Sequence, residues 1–208
     1  DTFDSNPKLT RLLNFYHNER PHSAVNNKII VNCAQNNDER CTEELIDEVS
    51  QASRNNGQTW LNAAGYYASK SNNKKTLQAA AEFSKTNHFD EHYFSLIKLY
   101  TNVMDGVVYD DVEYNFAVNK IIATGLVAKD QGAVGNILEW CENNGDNNQI
   151  ANACAEIGKG MINRSKSLLH SRIGERMLLN YYERIGDTNG FNELNAKRSN
   201  RVNPKQTF

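Results

Sequence analysis

Proline is nearly absent from this chain. Its three prolines, Pro7, Pro21 and Pro204, leave long stretches free of the residue that breaks helices most reliably. Long apolar runs are missing as well. The best, Ile121–Ala128, is interrupted by Thr124 and Gly125 and falls well short of the roughly 20 residues a membrane-spanning helix needs. No charge of one sign prevails: 23 basic and 25 acidic residues give a net charge of -2. No global field therefore draws the chain to nucleic acid or to an anionic membrane. Sustained period-two alternation is lacking, which excludes a sheet from the expected fold. There is no Cys-x-x-Cys pair, no Gly-x-Ser-x-Gly elbow and no phosphate loop. Gly158-Lys159-Gly160 lacks the flanking loop pattern and sits within a helical stripe.

Four cysteines are present, and their placement is the most informative feature. Cys33 and Cys41 are 8 apart, Cys141 and Cys154 are 13 apart. Each pair brackets an Asn/Asp-rich turn between two apolar, helix-like segments, with Ala34–Arg40 and Glu142–Ala153 intervening. Four cysteines allow three connectivities, and short loops across helix junctions favour Cys33–Cys41 and Cys141–Cys154. Two such bridges imply an oxidising compartment, periplasmic or secreted; on that reading a leader is expected to have been removed, by processing or by the choice of expressed segment. The alternative is four reduced thiols buried in a cytosolic core. Against it, the polar run Gln35–Arg40 is a poor place to bury two thiols. In the chain-entropy account the shorter bridge is worth about 2.5 kcal/mol and the longer about 3 kcal/mol.

Helical spacing dominates the rest. Leu9, Leu12, Leu13 and Tyr16 form a stripe after Pro7, a residue suited to a helix's first turn. Val25, Ile29 and Ile30 lead to Cys33. Thr42 is the expected N-cap of a helix carrying Leu45, Val49 and Ala52, with Glu43 and Glu44 well placed in its first turn. Asn56-Gly57 is expected to stop that helix before another through Trp60, Ala64 and Tyr67; Leu77, Ala80, Ala81 and Phe83 follow. Tyr93, Ile97, Tyr100 and Met104 make the cleanest amphipathic stripe, and a helix from Asp110 or Asp111 carries Tyr114, Ala117, Ile121 and Gly125. Val134, Ile137, Leu138 and Cys141 precede the turn Asn143-Asn144-Gly145, with Asp146 as the expected next cap. Ile150 to Met161, and Leu169 to Tyr181 before Gly186, complete the series, and Phe191 and Leu194 suggest a short last turn. The expected fold is an all-α stack of antiparallel helical hairpins, about ten helices. It forms one domain over 1–208: an N-terminal helix in 1–21, the hairpin array in 22–186, and a short helix with a basic tail in 187–208.

Cys33 and Cys141 lie 108 residues apart, three intervals of 36, and the intermediate positions Ser69 and Asp105 also fall at expected helix ends. Together with the Cys-x7-Cys spacing, the turn Asp105-Gly106-Val107-Val108-Tyr109-Asp110 and the Ala64-Gly65-Tyr66-Tyr67 small-residue signature, this resembles the tetratricopeptide-related, cysteine-rich helical repeats of secreted bacterial proteins, the Sel-like branch. The resemblance implies protein or peptide binding on a concave face rather than catalysis.

Side chains that could carry chemistry are few. His88-Phe89-Asp90-Glu91-His92 fits the inverted zinc-peptidase pattern, in which two imidazoles share a helix face and a glutamate activates water. Asn87 and Asp90 are helix-starting residues, so His88 falls at or before a helix cap, and the expectation is that His88, Glu91 and His92 hold no catalytic zinc. Glu156 and Glu175 are the available third ligands. Glu139 beside Trp140, and Glu82 beside Phe83, are the only acids in a setting that invites a raised pKa, and both fit solvated helix positions better. Lys197, Arg198, Arg201 and Lys205 make a basic tail without interleaved aromatics, expected to be frayed and not to bind nucleic acid. Asn163-Arg164-Ser165 is a glycosylation sequon, meaningful in a eukaryotic source.

Aromatic doublets recur on separate helices: Tyr66-Tyr67, Tyr93-Phe94 and Tyr181-Tyr182. Adjacent helical residues diverge by about 100°, so one ring of each doublet is expected to leave the core face or to pack against a neighbouring hairpin. Tyr66, Tyr67, Tyr93 and Trp60 are the expected binding residues, without cofactor or metal. The expected function is a non-catalytic, extracytoplasmic binding or scaffold protein that takes a protein or peptide partner in a helical groove. A helical inhibitor or immunity protein against a toxin, and a cell-wall-active hydrolase, are the alternatives.

Overall fold

Apolar stripes of helical period become helices. A computed structural model describes residues 6–18, 22–92 and 132–202. Among these residues there are nine α-helices and no strand: α1 (Pro7–Asn18), α2 (Ser23–Gln35), α3 (Glu43–Ala52), α4 (Gly57–Ser69), α5 (Asn73–Lys85), α6 (Gly132–Asn143), α7 (Asn148–Arg164), α8 (Leu168–Ile185) and α9 (Thr188–Val202). The Tyr93–Met104 stripe, the helix expected after Asp110 or Asp111, and the Asp105–Asp110 turn lie outside the described residues.

Helix starts follow side-chain caps. Thr42 opens α3 as expected, its hydroxyl accepting the Leu45 N–H at 3.2 Å with Glu43 and Glu44 behind it. Asn56 departs from expectation. It caps α4, its Oδ1 accepting the Gln58 N–H at 3.1 Å, whereas α3 has already ended at Ala52. The cap of α7 is Asn147 and not Asp146: the Asn147 Oδ1 takes the N–H groups of Gln149 and Ile150 at 2.9 and 3.3 Å. Gly186 closes α8 in the left-handed conformation, φ 70°, where a side chain would be strained. The last helix is longer than the short turn expected. Asp187 Oδ1 accepts the Gly190 N–H at 2.9 Å, and Glu193 pairs with Lys197 at 2.7 Å, so Lys197, Arg198 and Arg201 lie in α9. Lys205 is outside the described residues.

The core is organised around α4. Every residue of α4 from Gly57 to Tyr67 is buried, because α2, α3, α5 and α6 all pack on it. Buried Leu61, Trp60, Tyr66 and Tyr67 each contribute on the order of 1.5–3 kcal/mol of apolar burial. Gly65 permits the closest approach. A Cβ there would sit 1.9 Å from the Ala133 carbonyl oxygen, so α6 lies directly against the α4 backbone. The α7–α8 pair crosses at two glycines: a Cβ on Gly158 would meet the Gly174 oxygen at 2.8 Å, and one on Gly174 the Gly158 oxygen at 2.6 Å. Both bridges form as expected, Cys33–Cys41 with Cα atoms 5.3 Å apart and Cys141–Cys154 with 5.9 Å, tying α2 to the start of α3 and α6 to α7. No described helix is long and apolar enough to cross a membrane.

Candidate functional site

Between the end of α5 and residue 92 the chain forms no helix, and this decides what its side chains can do. His88 and His92 therefore share no helix face, and the zinc-peptidase geometry is not formed. The segment is clipped to the start of α4 instead. The Gly57 N–H donates to the His88 carbonyl at 2.8 Å, the Asp90 N–H donates to Asn56 Oδ1 at 2.9 Å, and Asn56 Nδ2 donates to the Asp90 carbonyl at 2.9 Å. Phe89 and Glu91 go inward toward α8, and Asp90 and His92 go toward the start of α2.

On the inward side Phe89 meets Phe83 and His170 edge-on, with ring centroids 5.9 and 5.8 Å away. Glu91 reaches the start of α8, where Ser165 Oγ donates to its carboxylate and His170 Nδ1 lies 3.4 Å from Oε1. Burial raises the Glu91 pKa, although Ser165 and the nearby backbone N–H groups oppose the rise. Burial pushes His170 down to about 4. The His170 ring is fully buried, and neither nitrogen has a well-aligned hydrogen bond.

On the other side Ser23 meets two residues far from it in sequence. Ser23 Oγ lies 2.8 Å from His92 Nε2, and His92 Nδ1 lies 3.2 Å from Asp90 Oδ2. Asp90 Oδ1 meanwhile accepts the His92 N–H at 2.8 Å, so the carboxylate is held by both oxygens. His92 has φ 52°, a left-handed conformation that is strained for an imidazole-bearing residue. Its ring is 13% exposed and its pKa is lowered by burial, against the raising effect of Asp90. Ser23 is the first residue of α2, after the N-cap His22, whose Nδ1 accepts the Ala24 N–H at 3.2 Å.

A separate concave site of about 470 Å³ lies between the α4–α5 turn and α6. Ser69, Ser71, Glu139 and four asparagines, Asn73, Asn136, Asn143 and Asn144, line it beside Trp140. Trp140 Nε1 donates to Asn73 Oδ1 at 2.7 Å and so fixes that amide. Ser71 has φ 56°, which makes it, with His92, one of the two described non-glycine residues in the left-handed region. Each of the two lies in one of these sites.

Of the sequence-expected binding residues, Tyr66, Tyr67 and Trp60 are described, and none lines either of these sites. Tyr66 and Tyr67 both turn into the core, so neither ring of that doublet leaves it. Tyr66 Oη donates to the Cys41 carbonyl at 2.6 Å, and Tyr67 Oη to Asp47 at 2.5 Å. Burial is complete because α4 is surrounded on all sides. Trp60 is 7% exposed, donates to the Arg54 carbonyl at 2.9 Å and borders a second depression with Glu82 and His88. Tyr93 is outside the described residues. Glu156 pairs with Lys159 at 2.8 Å on the surface, and buried Glu175 pairs with Arg172 at 2.9 Å. Among the described residues no group of three His, Cys, Asp or Glu side chains is placed to hold a metal. Sequence reasoning missed Ser23, whose only local signal is its place after Pro21-His22 at a helix start. Comparison with protein-family models, curated proteins and solved structures finds no match to this chain.

Proposed function

We propose that the protein is an extracytoplasmic helical protein that binds an extended peptide segment of a partner in the groove between the α4–α5 turn and α6. The observation that carries this reading is the amide lining. An extended peptide presents alternating N–H and C=O groups; the Asn143 amide offers both a donor and an acceptor, Asn136 and Asn144, whose Nδ2 groups donate to the Ala34 and Trp140 carbonyls, turn Oδ1 to accept, and Asn73, whose Oδ1 takes the Trp140 N–H, keeps Nδ2 to donate. Glu139 and Asn143 are exposed at the groove, and the carboxylate favours a segment with a basic side chain. The volume falls in the range of roughly 300–1,000 Å³ typical of ligand sites. The two disulfides support an oxidising location. Cys33, Ser69 and Cys141 occupy the last turns of α2, α4 and α6, which supports the 36-residue helical repeat.

The test is selection of random displayed peptides on the oxidised, intact protein. Enriched peptides carrying a basic residue, whose affinity falls at least ~10-fold on Glu139→Ala with Asn143→Ala, are expected. Both substitutions are at exposed positions and leave the fold intact. Peptides that bind the double variant as tightly as the parent would refute the reading.

A further inference from the structure

We propose that Ser23, His92 and Asp90 form a serine-nucleophile site that hydrolyses small carboxylic esters, an activity that goes beyond the peptide groove and departs from the non-catalytic expectation. The order of contacts is that of a nucleophile, a base and an orienting acid. Asp90 Oδ2 faces His92 Nδ1 at 3.2 Å and so sets the proton on Nδ1. The lone pair of Nε2 then faces Ser23 Oγ at 2.8 Å, and the serine hydroxyl donates to it. Ser23 sits at the start of α2. The first N–H groups of a helix have no intrahelical acceptor, and its dipole favours negative charge there. The Ala24 N–H is taken by His22 Nδ1, so an oxyanion on the carbon that Oγ attacks draws on the positive end of the α2 dipole.

Two further observations point to a ligand. His92 is held at φ 52° by the Asn56 clip and the Asp90 carboxylate, and such strain persists only where the surroundings over-determine it. One turn beyond Ser23, on the same face of α2, Asn27 is 7% exposed, yet its Oδ1 and Nδ2 both lack hydrogen-bond partners. An amide left unpaired in this way is costly unless a ligand completes it. Ser23 is half-buried and the His22 ring lies 5.8 Å from that of His92, so a short acyl group is the occupant the proposal takes.

The step balances as follows. His92 Nε2 takes the Ser23 proton as Oγ bonds to the ester carbonyl carbon. The bond from that carbon to the alkoxy oxygen then breaks, and His92 returns the proton to the departing alcohol. Water, deprotonated by His92, attacks the acyl-serine and releases the carboxylic acid, and the proton returns to Ser23. Burial and the neighbouring His22 and His88 lower the pKa of His92, Asp90 raises it, and the net fall keeps Nε2 in its basic form at neutral pH.

The test uses the intact, oxidised protein with two probes, a fluorophosphonate followed by peptide mass mapping, and p-nitrophenyl acetate. A single adduct on Ser23 is expected, with ester hydrolysis rising through a pKa below that of free histidine. Ser23→Ala should abolish the adduct, and His92→Gln should lower both rates at least ~100-fold. Circular dichroism checks that both variants fold. If His92→Gln fails to fold, Ser23→Cys replaces it. Its thiol should then react with iodoacetamide at least ~10-fold faster than a free cysteine below neutral pH. Three results would each overturn the proposal: no fluorophosphonate adduct on Ser23, hydrolysis unchanged in Ser23→Ala, or an ordinary thiol rate in Ser23→Cys.

Discussion

Replacing His170 by leucine should make the protein more acid-resistant, and the size of the gain follows from burial. The His170 ring is fully buried, makes no well-aligned hydrogen bond and packs edge-on against Phe89. Burial lowers its pKa to about 4 from the usual 6.5. The unfolded chain thus binds a proton between these values while the folded chain does not. The contribution is fully present above about pH 6.5 and is lost as pH falls toward 4, a loss of about 3 kcal/mol. Glu91, 3.4 Å away, could reverse the sign by pairing with an imidazolium. It does not prevail, because Glu91 is itself buried and pushed toward its neutral form, and its oxygens are engaged by Ser165 and by backbone N–H groups at the start of α8. The assay is urea unfolding of parent and His170→Leu from neutral pH down to about 4, with the difference in midpoints cancelling the other titrating groups. The variant should match the parent within about 1.5 kcal/mol at neutral pH and exceed it by about 3 kcal/mol in acid. A difference that stays flat across this range, or that favours the parent in acid, refutes the neutral-pair reasoning.

Gly65→Ala should cost at least about 1–3 kcal/mol, read as a fall in the thermal midpoint, because the new methyl strikes a backbone oxygen of α6 that no side-chain shift can move. Replacing Cys33 and Cys41 by alanine should cost about 2.5 kcal/mol, and replacing Cys141 and Cys154 about 3 kcal/mol, in urea unfolding. Thr42→Ala should cost about 1 kcal/mol through the lost cap of α3, whereas Thr42→Ser should be nearly neutral.

The helices and both bridges were legible because their signals are local. A stripe repeating every three or four residues, a threonine before two glutamates, and cysteine pairs spanning one turn each need only a short window. The errors came from residues able to serve two adjacent roles. Asn56 reads equally as the end of one helix and the cap of the next, and only its bonds to Gln58 and Asp90 decide between them. Asp146 and Asn147 are both good caps, and the turn uses one residue more than expected. The last helix is longer than its sequence suggests because its apolar stripe is thin, while Asp187 and the Glu193–Lys197 pair hold it from the polar side.

The sites were less legible, for a different physical reason. Tyr66 and Tyr67 read either as one ring on a surface or as a second ring packed on a neighbouring hairpin, and the first reading needs a wet face. Helix α4 has none, and the small residues Ala63, Ala64 and Gly65 are the sequence sign that other helices close on it. Ser23 and His92 lie 69 residues apart and touch only because Asn56 pins Asp90 beside α4 while α2 crosses that same helix. A motif read along the chain grouped His88 with Glu91 and His92 under helical spacing. The non-helical backbone instead separates them, giving Glu91 to His170 and joining Asp90 and His92 with Ser23. The path of the backbone, more than the identity of the residues, determines which chemistry they can share.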